Sequence, residues 1–422
     1  MTTTTLLCTV GGSHQPIVRA IEHLRPDHVC FICSDDDPAT GNKGSYTQVE
    51  GKGSVIKARF QDEKPSLPNI PTQADLQPDQ VSVLRVQADN LDDIYRTVTD
   101  WLGERGRAAE RIVADYTGGT KTMSAALVAV ALDEGIELQL VSGSRSNLVK
   151  VESGAEYVTT AAVSESRFRR QLAQALAPWQ RHAYDESALI LEKIEPPSNP
   201  KLRGEYERAI DVSRALAAWD RFNHQSAREI LLRYRPILGR FWGPLLGTLD
   251  LMENPERGEP MRLFDLWRNA ERRAAQERYD DAVARTYRLL EWSAQWILQI
   301  RADIATNNVP EDKIPPGIEL TRNRQGQYQA GLFNAWRMAE NYGGEAVAAF
   351  WHAEEQNMLD LLKSRNHSIL AHGFEPISSE HWQAFARWVS NKLLPPLLTL
   401  TAKEPYRIKR LPEQLPTALP QI

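Results

Sequence analysis

The pattern of apolar runs changes once along this 422-residue chain, near Ser164, and that change limits the fold more than any other feature. Before it, apolar runs of strand length alternate with amphipathic stretches. Thr4–Val10, His28–Ser34, Val81–Gln87, Arg111–Tyr116 and Ile136–Val141 read as strands, and Pro16–Leu24, Leu91–Leu102 and Thr122–Leu132 as helices. Pro16 suits a first helical turn, where its missing N–H has no intrahelical partner in any case. Parallel neighbours need a crossover, usually a helix, so this alternation predicts an α/β domain on a mainly parallel sheet. Leu148–Val151 and Glu156–Val158, separated by Ser153-Gly154, are read as a closing hairpin. Residues 39–80, rich in Gly, Pro, Ser and Lys, are read as a large loop or insertion with one helix near Val55–Phe60.

Two loops follow strands that a Rossmann-like order makes neighbours. Gly11-Gly12-Ser13-His14 leaves the first strand, and Asp115 to Thr122 leaves the fourth, so both border one crevice. The second loop combines paired glycines, hydroxyls, a lysine and a helix N-terminus, a set suited to anionic phosphate. Neither loop has the G-x-G-x-x-G or G-x-x-x-x-G-K-[ST] spacing, which argues against a dinucleotide fold or a P-loop NTPase. Asp35–Asp37 reads as a solvated turn rather than a metal site. The string Asp115-Tyr-Thr-Gly-Gly-Thr-Lys-Thr-Met-Ser124, with Gly11-Gly12-Ser13, closely resembles the CARF domains of type III CRISPR accessory proteins. Those are Rossmann-like sensors that dimerise and bind cyclic oligoadenylate across the dyad. The resemblance covers about residues 1–160, and implies ligand contacts at Gly11, Gly12, Ser13, Thr117, Gly118, Gly119, Thr120 and Lys121. Ser142-Gly143-Ser144-Arg145, leaving the fifth strand, is a weaker candidate for the same rim, and the 39–80 segment is long for a minimal CARF core.

From Ser164 onward strand signals vanish, and ten of the eleven Trp appear. Arg167–Pro178 and Ala183–Ile194 read as helices, with a break at Glu195–Pro200; Gly204–Arg235 and Leu263–Ile300 follow with helical periodicity. Arg221-Phe-Asn-His224 and Arg278-Tyr-Asp-Asp281 occupy similar places, with Ala227, Arg228 and Ala284, Arg285 downstream, which hints at a repeated helical hairpin resembling a tetratricopeptide unit. Two such copies are too few for a solenoid. Asn307–Gln329 reads as a surface loop, and Leu332–Tyr342 and Ala346–Leu370 as helices. Trp267, Trp292, Trp296, Trp336, Trp351 and Trp388 read as core. The tail after Leu394, with six Pro, is expected to pack as an extended strap or to fray.

The formal net charge of −5 gives no global attraction to nucleic acid, so RNA contact requires a local basic groove. No run of eighteen apolar residues and no basic n-region occur, which predicts a soluble, cytoplasmic protein without membrane contact. Cys30 and Cys33 stand at odd spacing on a strand, so they face opposite ways; with Cys8 they read as small core residues in a reducing compartment.

The remaining motif lies near the C-terminus. Arg365 and His372 are seven residues apart, so one helix places them on nearly the same face, about 10 Å apart along the axis. A guanidinium holds phosphodiester oxygens in a fork, and an imidazole moves protons near neutral pH. Leu361, Leu362, Ile369 and Leu370 are expected to anchor that helix, Gly373 to end it, and His367 to lie off the site. The string also resembles the Arg-x(4–6)-His motif of HEPN ribonucleases, which implies catalytic roles for Arg365, Asn366 and His372 with no metal and no cofactor. Together the two resemblances imply a CRISPR-associated CARF–HEPN ribonuclease of the Csm type. Its expected layout is a CARF domain over 1–160, a helical connector over 161–260 and a HEPN domain over 261–422. Its expected activity is metal-independent cleavage of single-stranded RNA, switched on by cyclic oligoadenylate in a homodimer. Two alternatives stand beside it: a CARF regulator or scaffold without nuclease activity, and a ring nuclease whose Thr117, Thr120 and Lys121 degrade the cyclic ligand.

Overall fold

The computed structural model describes residues 3–39, 41, 43–50, 67–104, 109–146, 150–366 and 373–420, with side chains described outside 143–156 and 362–366. The chain divides into two compact units, Met1–Gln171 and Leu172–Ile422.

The first unit holds β1 (Thr4–Val10), α1 (Gln15–Leu24), β2 (His28–Ser34), α2 (Ile70–Gln73), β3 (Val81–Val86), α3 (Leu91–Glu104), β4 (Arg111–Asp115), α4 (Lys121–Asp133), β5 (Glu137–Ser146) and β6 (Lys150–Thr160). The strands form one sheet in the order β3-β2-β1-β4-β5-β6. All pairings are parallel except β5 with β6, so the α/β reading and the β1–β4 adjacency both hold. The central strands β1 and β2 are buried along nearly their whole length because both faces of the sheet are covered, as parallel sheets require. Cys30 and Ile32 pack with α3 and α4, whereas Cys33, Phe31 and Cys8 pack with α1 and with Val49 and Ile70 of the 39–80 segment. The three thiols form no disulfide and are buried, and Cys30 and Cys33 face opposite layers, as their spacing demands.

The hairpin expected at Ser153-Gly154 is misplaced by the sequence reading. β5 runs on to Ser146 and pairs antiparallel with β6 (Lys150–Thr160), and Ser153-Gly154 falls in the irregular stretch of β6 where pairing jumps from Gly143–Glu156 to Arg145–Val151. Gly inside a strand often marks a bulge, so Ser-Gly signalled a break in register within β6 and not the turn of a hairpin. Ser142–Arg145 accordingly lies within β5, with a register shift between Gly143 and Arg145, and does not leave it as a loop. The helix expected at Val55–Phe60 lies outside the described residues. Among those described, the insertion gives a 3₁₀ turn at Ser45–Gln48, the short α2 and a second 3₁₀ turn at Pro78–Gln80.

Helices α5 (Ser164–Leu176), α6 (Tyr184–Leu191), α7 (Pro200–Asp220), α8 (His224–Met252), α9 (Gly258–Ala275) and α10 (Tyr279–Ala302) follow. The predicted run Gly204–Arg235 is broken at Phe222, and Leu263–Ile300 at Glu277, where φ reaches +65° and +59°. Each turn joins two helices into a hairpin, so the repeat is real, but its true register differs from the sequence match. His224 and Tyr279 both open helices, and the equivalent fully buried alanines are Ala227 and Ala282, not Ala284. Within α8, Trp242 leaves helical geometry two residues before Pro244, whose ring cannot sit in an unbroken helix. β7 (Thr321–Arg322) and β8 (Tyr328–Gln329) make a small ribbon in the predicted surface loop. α11 (Leu332–Tyr342), α12 (Glu345–Asn366), α13 (Ser379–Trp388) and α14 (Leu394–Thr401) complete the unit, with a π-helical segment at Val389–Leu393 joining the last two.

A buried polar network sits among these helices. Arg272 is fully buried, 2.8 Å from Asp220 and 3.4 Å from Asp265. Asp265 also accepts from Trp219 Nε1 at 3.0 Å and lies 3.1 Å from His224 Nε2. Burial alone raises a carboxyl pKa, but Arg272, His224 and Trp219 hold that of Asp265 below its ordinary value. The tail expected to be extended after Leu394 instead begins as α14, whose prolines sit in its first turn where their missing N–H costs nothing, and only beyond Thr401 does it pack as a strap. Ile408 and Leu415 are buried, Pro412 accepts from Arg268 at 2.9 Å, and Pro416 accepts from Tyr184 at 2.9 Å. No helix among the described residues is long and apolar enough to cross a membrane.

Candidate functional site

At the carboxyl ends of β1 and β4 the two predicted loops pack directly on each other. A Cβ on Gly11 would fall 2.6 Å from Gly119 N, and one on Gly118 would fall 2.2 Å from Thr9 O. Gly119 takes φ +78°, which a side chain rarely adopts. Thr9, wholly buried, donates from Oγ1 to Gly118 O at 2.7 Å, and Ser124 Oγ donates to the same carbonyl at 3.0 Å. The glycines therefore make room first for the neighbouring loop.

The hydroxyls are also committed. Thr117 Oγ1 accepts from Val141 N at 2.7 Å, tying the loop to β5. Thr120 caps α4, accepting from Met123 N at 3.2 Å while donating to Ala88 O at 2.6 Å. Asp115 beneath is almost fully buried and takes Thr117 N at 2.9 Å and Gln139 Nε2 at 3.2 Å. Burial pushes its pKa up, opposed by those donors. Gly12, Ser13 and Lys121 are exposed, and Lys121 opens α4 beside the unpaired N–H groups of its first turn. A rigid, fully bonded floor thus carries an open rim of backbone donors and one lysine, which can hold an anion.

Sequence reasoning missed Gln48. It comes from the insertion, is buried, and donates from Nε2 to the Gly11 carbonyl, while its Oε1 has no partner among the described residues. No periodicity marks it, since it lies in a one-turn 3₁₀ segment between Tyr46 and Val49.

In the helical unit, α12 carries Arg365 and Asn366 in its last turn, but their side chains, Leu362, and all of residues 367–372, including His367, Ile369, Leu370 and His372, lie outside the described residues. The supports on either side are described. Glu354 of α12, half-way along, is buried and accepts from Asn357 at 2.8 Å and Trp388 Nε1 at 2.7 Å, and pairs with Lys392 at 3.0 Å. Burial would raise its pKa, yet these donors hold it below the ordinary glutamate value. Trp351 stacks on Trp336 at 6.4 Å, Met358 is fully buried, and Leu361 packs against the core. Past the gap, Ile377 N donates to Asp280 Oδ2 at 3.2 Å and Ser378 caps α13. Of the predicted core tryptophans, Trp267, Trp296, Trp336 and Trp351 are buried, and Trp292 and Trp388 partly so.

A family model described as "Csm6 HEPN domain" matches residues 253–393, a span that includes α12 and both ends of the Arg365–His372 stretch. No curated protein matches the chain. Among solved structures, Enterococcus italicus Csm6 bound to cyclic hexa-2′-fluoro-hexa-dAMP is 11% identical, with 95% of this chain and 96% of that one covered at a TM-score of 0.52. Can2 from Sulfobacillus thermosulfidooxidans, in complex with cyclic tetra-adenylate, is 11% identical over 57% of this chain and 69% of that one, at a TM-score of 0.23. Residues 253–393 are thus similar to the HEPN domain of Csm6, and the chain as a whole shares its fold, an α/β unit followed by helices, with Enterococcus italicus Csm6.

Proposed function

We propose that the protein is a cyclic-oligoadenylate-activated, metal-independent endoribonuclease of type III CRISPR defence. The observation that carries the reading is the HEPN match over 253–393, which contains Arg365, Asn366 and His372 at the Arg-x(6)-His spacing. The α/β unit supports the sensing half: its anion-suited rim is where cyclic oligoadenylate phosphates would lie, on Lys121 and the backbone of Gly11–Ser13 and Thr117–Thr120. The solved Csm6 with a cyclic hexanucleotide has a similar fold.

In the proposed reaction a ribose 2′-oxygen attacks the adjacent phosphorus and the P–O5′ bond breaks. Products are a 2′,3′-cyclic phosphate, or the 3′-phosphate from its hydrolysis, and a 5′-OH. His372 takes the 2′-OH proton or protonates the leaving 5′-oxygen, Arg365 stabilises charge on the non-bridging oxygens, and Asn366 orients the phosphate. One chain holds a single Arg365–His372 pair, so a homodimer would supply both an acid and a base, and present a symmetric ligand with two sensor loops. The ring-nuclease alternative is weakened because Thr117 and Thr120 already spend their hydroxyls inside the fold.

The test mixes protein, labelled single-stranded RNA and EDTA with cyclic oligoadenylates of several sizes. Cleavage should appear with a matching ring and survive EDTA. Arg365→Ala or His372→Ala should lower it by roughly 10²–10⁴-fold while ring binding persists. Full activity in His372→Ala sinks the assignment.

A further inference from the structure

Within the helical unit, the turn between α7 and α8 and the residues of α9 and α10 beside it line an open pocket of about 310 Å³. That is large enough for a small ligand group. Its lining includes Asp220, Arg221, Phe222, Asn269, Arg285 and Arg288. Asp220 is the one acid among the described lining residues, and its charge is already spent inward. Oδ1 accepts from Arg272 Nε at 2.8 Å and Asn269 at 2.9 Å, and Oδ2 pairs with Arg273.

Of the three lining arginines, Arg221 is the least matched. Arg221, exposed, has no ion pair or side-chain hydrogen bond among the described residues. Arg285 donates to Asn269 Oδ1 and lies 3.5 Å from Asp281, and it is crowded by Arg278 and Arg272. Burial and those like charges pull its pKa below the ordinary arginine value, against the opposing pull of Asp281. Arg288, exposed at the rim, pairs with Glu291 at 2.7 Å, donates to Gln295 at 3.0 Å and lies over the Trp292 ring, so a phosphate there would share it with these partners. The chain as a whole is acidic, so this local excess of guanidinium stands out against bulk charge. Guanidinium forks match the spread charge of a phosphate better than a point anion, and the half-buried Phe222 ring walls one side for a sugar or base.

We infer that this pocket binds a phosphate group, free or borne on single-stranded RNA, held by Arg221, Arg285 and Arg288. The RNA source rests on the proposed nuclease activity; the phosphate chemistry does not.

The test uses the full-length chain carrying Arg365→Ala, so that bound RNA stays intact. Inorganic phosphate is titrated calorimetrically, and binding of a labelled oligouridylate is followed by anisotropy across a salt series. Arg221→Gln and Arg288→Gln, both at exposed positions, are compared after circular dichroism shows them folded. Each should weaken phosphate by roughly tenfold, as loss of one charge-assisted contact implies. If RNA is the source, the slope of log affinity against log salt also becomes shallower by about one per lost contact. Loss of phosphate binding with RNA binding unchanged assigns the pocket to a free phosphate. Absence of phosphate binding in the parent, or phosphate binding in both variants as tight as in the parent, overturns the inference. Failure of the nuclease reading would look different: no cleavage by the native chain, with the phosphate titrations unaffected.

Discussion

A methyl group on Gly118 would lie 2.2 Å from the Thr9 carbonyl oxygen, too close for any side chain. Backbone cannot retreat there, because Gly118 O already accepts from Thr9 and Ser124. The loop that reads as a ligand cradle is therefore first a packing joint between β1 and β4. Gly118→Ala should destabilise the α/β unit by about 1–3 kcal/mol, the usual cost of overpacking. Lys121→Ala, at an exposed position, should leave stability within about 0.5 kcal/mol and weaken cyclic oligoadenylate binding. Urea unfolding followed by circular dichroism, beside a ring titration, separates the two. Equal loss of stability in both variants contradicts this division of labour. Gly11, Gly118, Gly119 and Thr117 were legible in sequence as two loops at one crevice, but not their dependence on one another, since that contact joins residues over a hundred positions apart.

Among elements, the C-terminal strap shows how Pro-rich sequence is held without regular structure. Tyr184 donates to Pro416 O at 2.9 Å, and His182 Nδ1 lies 2.8 Å from the same tyrosine hydroxyl. Burial, with Arg272 and Arg273 nearby, lowers the His182 pKa from 6.5 to about 4. A depressed folded pKa means the neutral ring is favoured by folding. The stability it contributes is complete above pH 6.5 and is lost as pH falls toward 4, up to about 3 kcal/mol in all. His182→Gln should flatten the stability profile of the helical unit between those pH values. Tryptophan emission reads that unit well, because ten of the eleven Trp lie within it. An unchanged slope in His182→Gln would place the acid sensitivity elsewhere. The same scale explains the misread hairpin: β6 pairs with β5 on both sides of Ser153-Gly154, so the local signal became an irregularity in the strand and not a turn.

For the whole molecule, the proposed nuclease needs two copies of one chain. Cyclic ligand bound by paired sensor loops shifts the nuclease only if it favours one of two arrangements of the dimer. Mixing Arg365→Ala subunits with His372→Ala subunits tests whether a site draws on both chains. Sharing predicts cleavage measurably different from that of either parent mutant. A chain that stays monomeric by light scattering, with and without ring, and still cuts RNA defeats the dimer model.

Alternation of apolar runs was enough to establish the parallel sheet, the β1–β4 crevice and the change to helices, because those follow from local periodicity and the rules of crossover. The spacing of Arg365 and His372, and the glycines of the two loops, were equally local and equally legible. What only tertiary structure decided is which groups meet from distant parts of the chain. Gln48 reaches the Gly11 carbonyl from an insertion with no pattern of its own, and Glu354 is fastened by Trp388 and Lys392. Asp220 and Arg285, 65 positions apart, come to line one pocket. Such contacts are satisfied only once burial has removed water from the polar groups, and no stretch of sequence records its partner across the core.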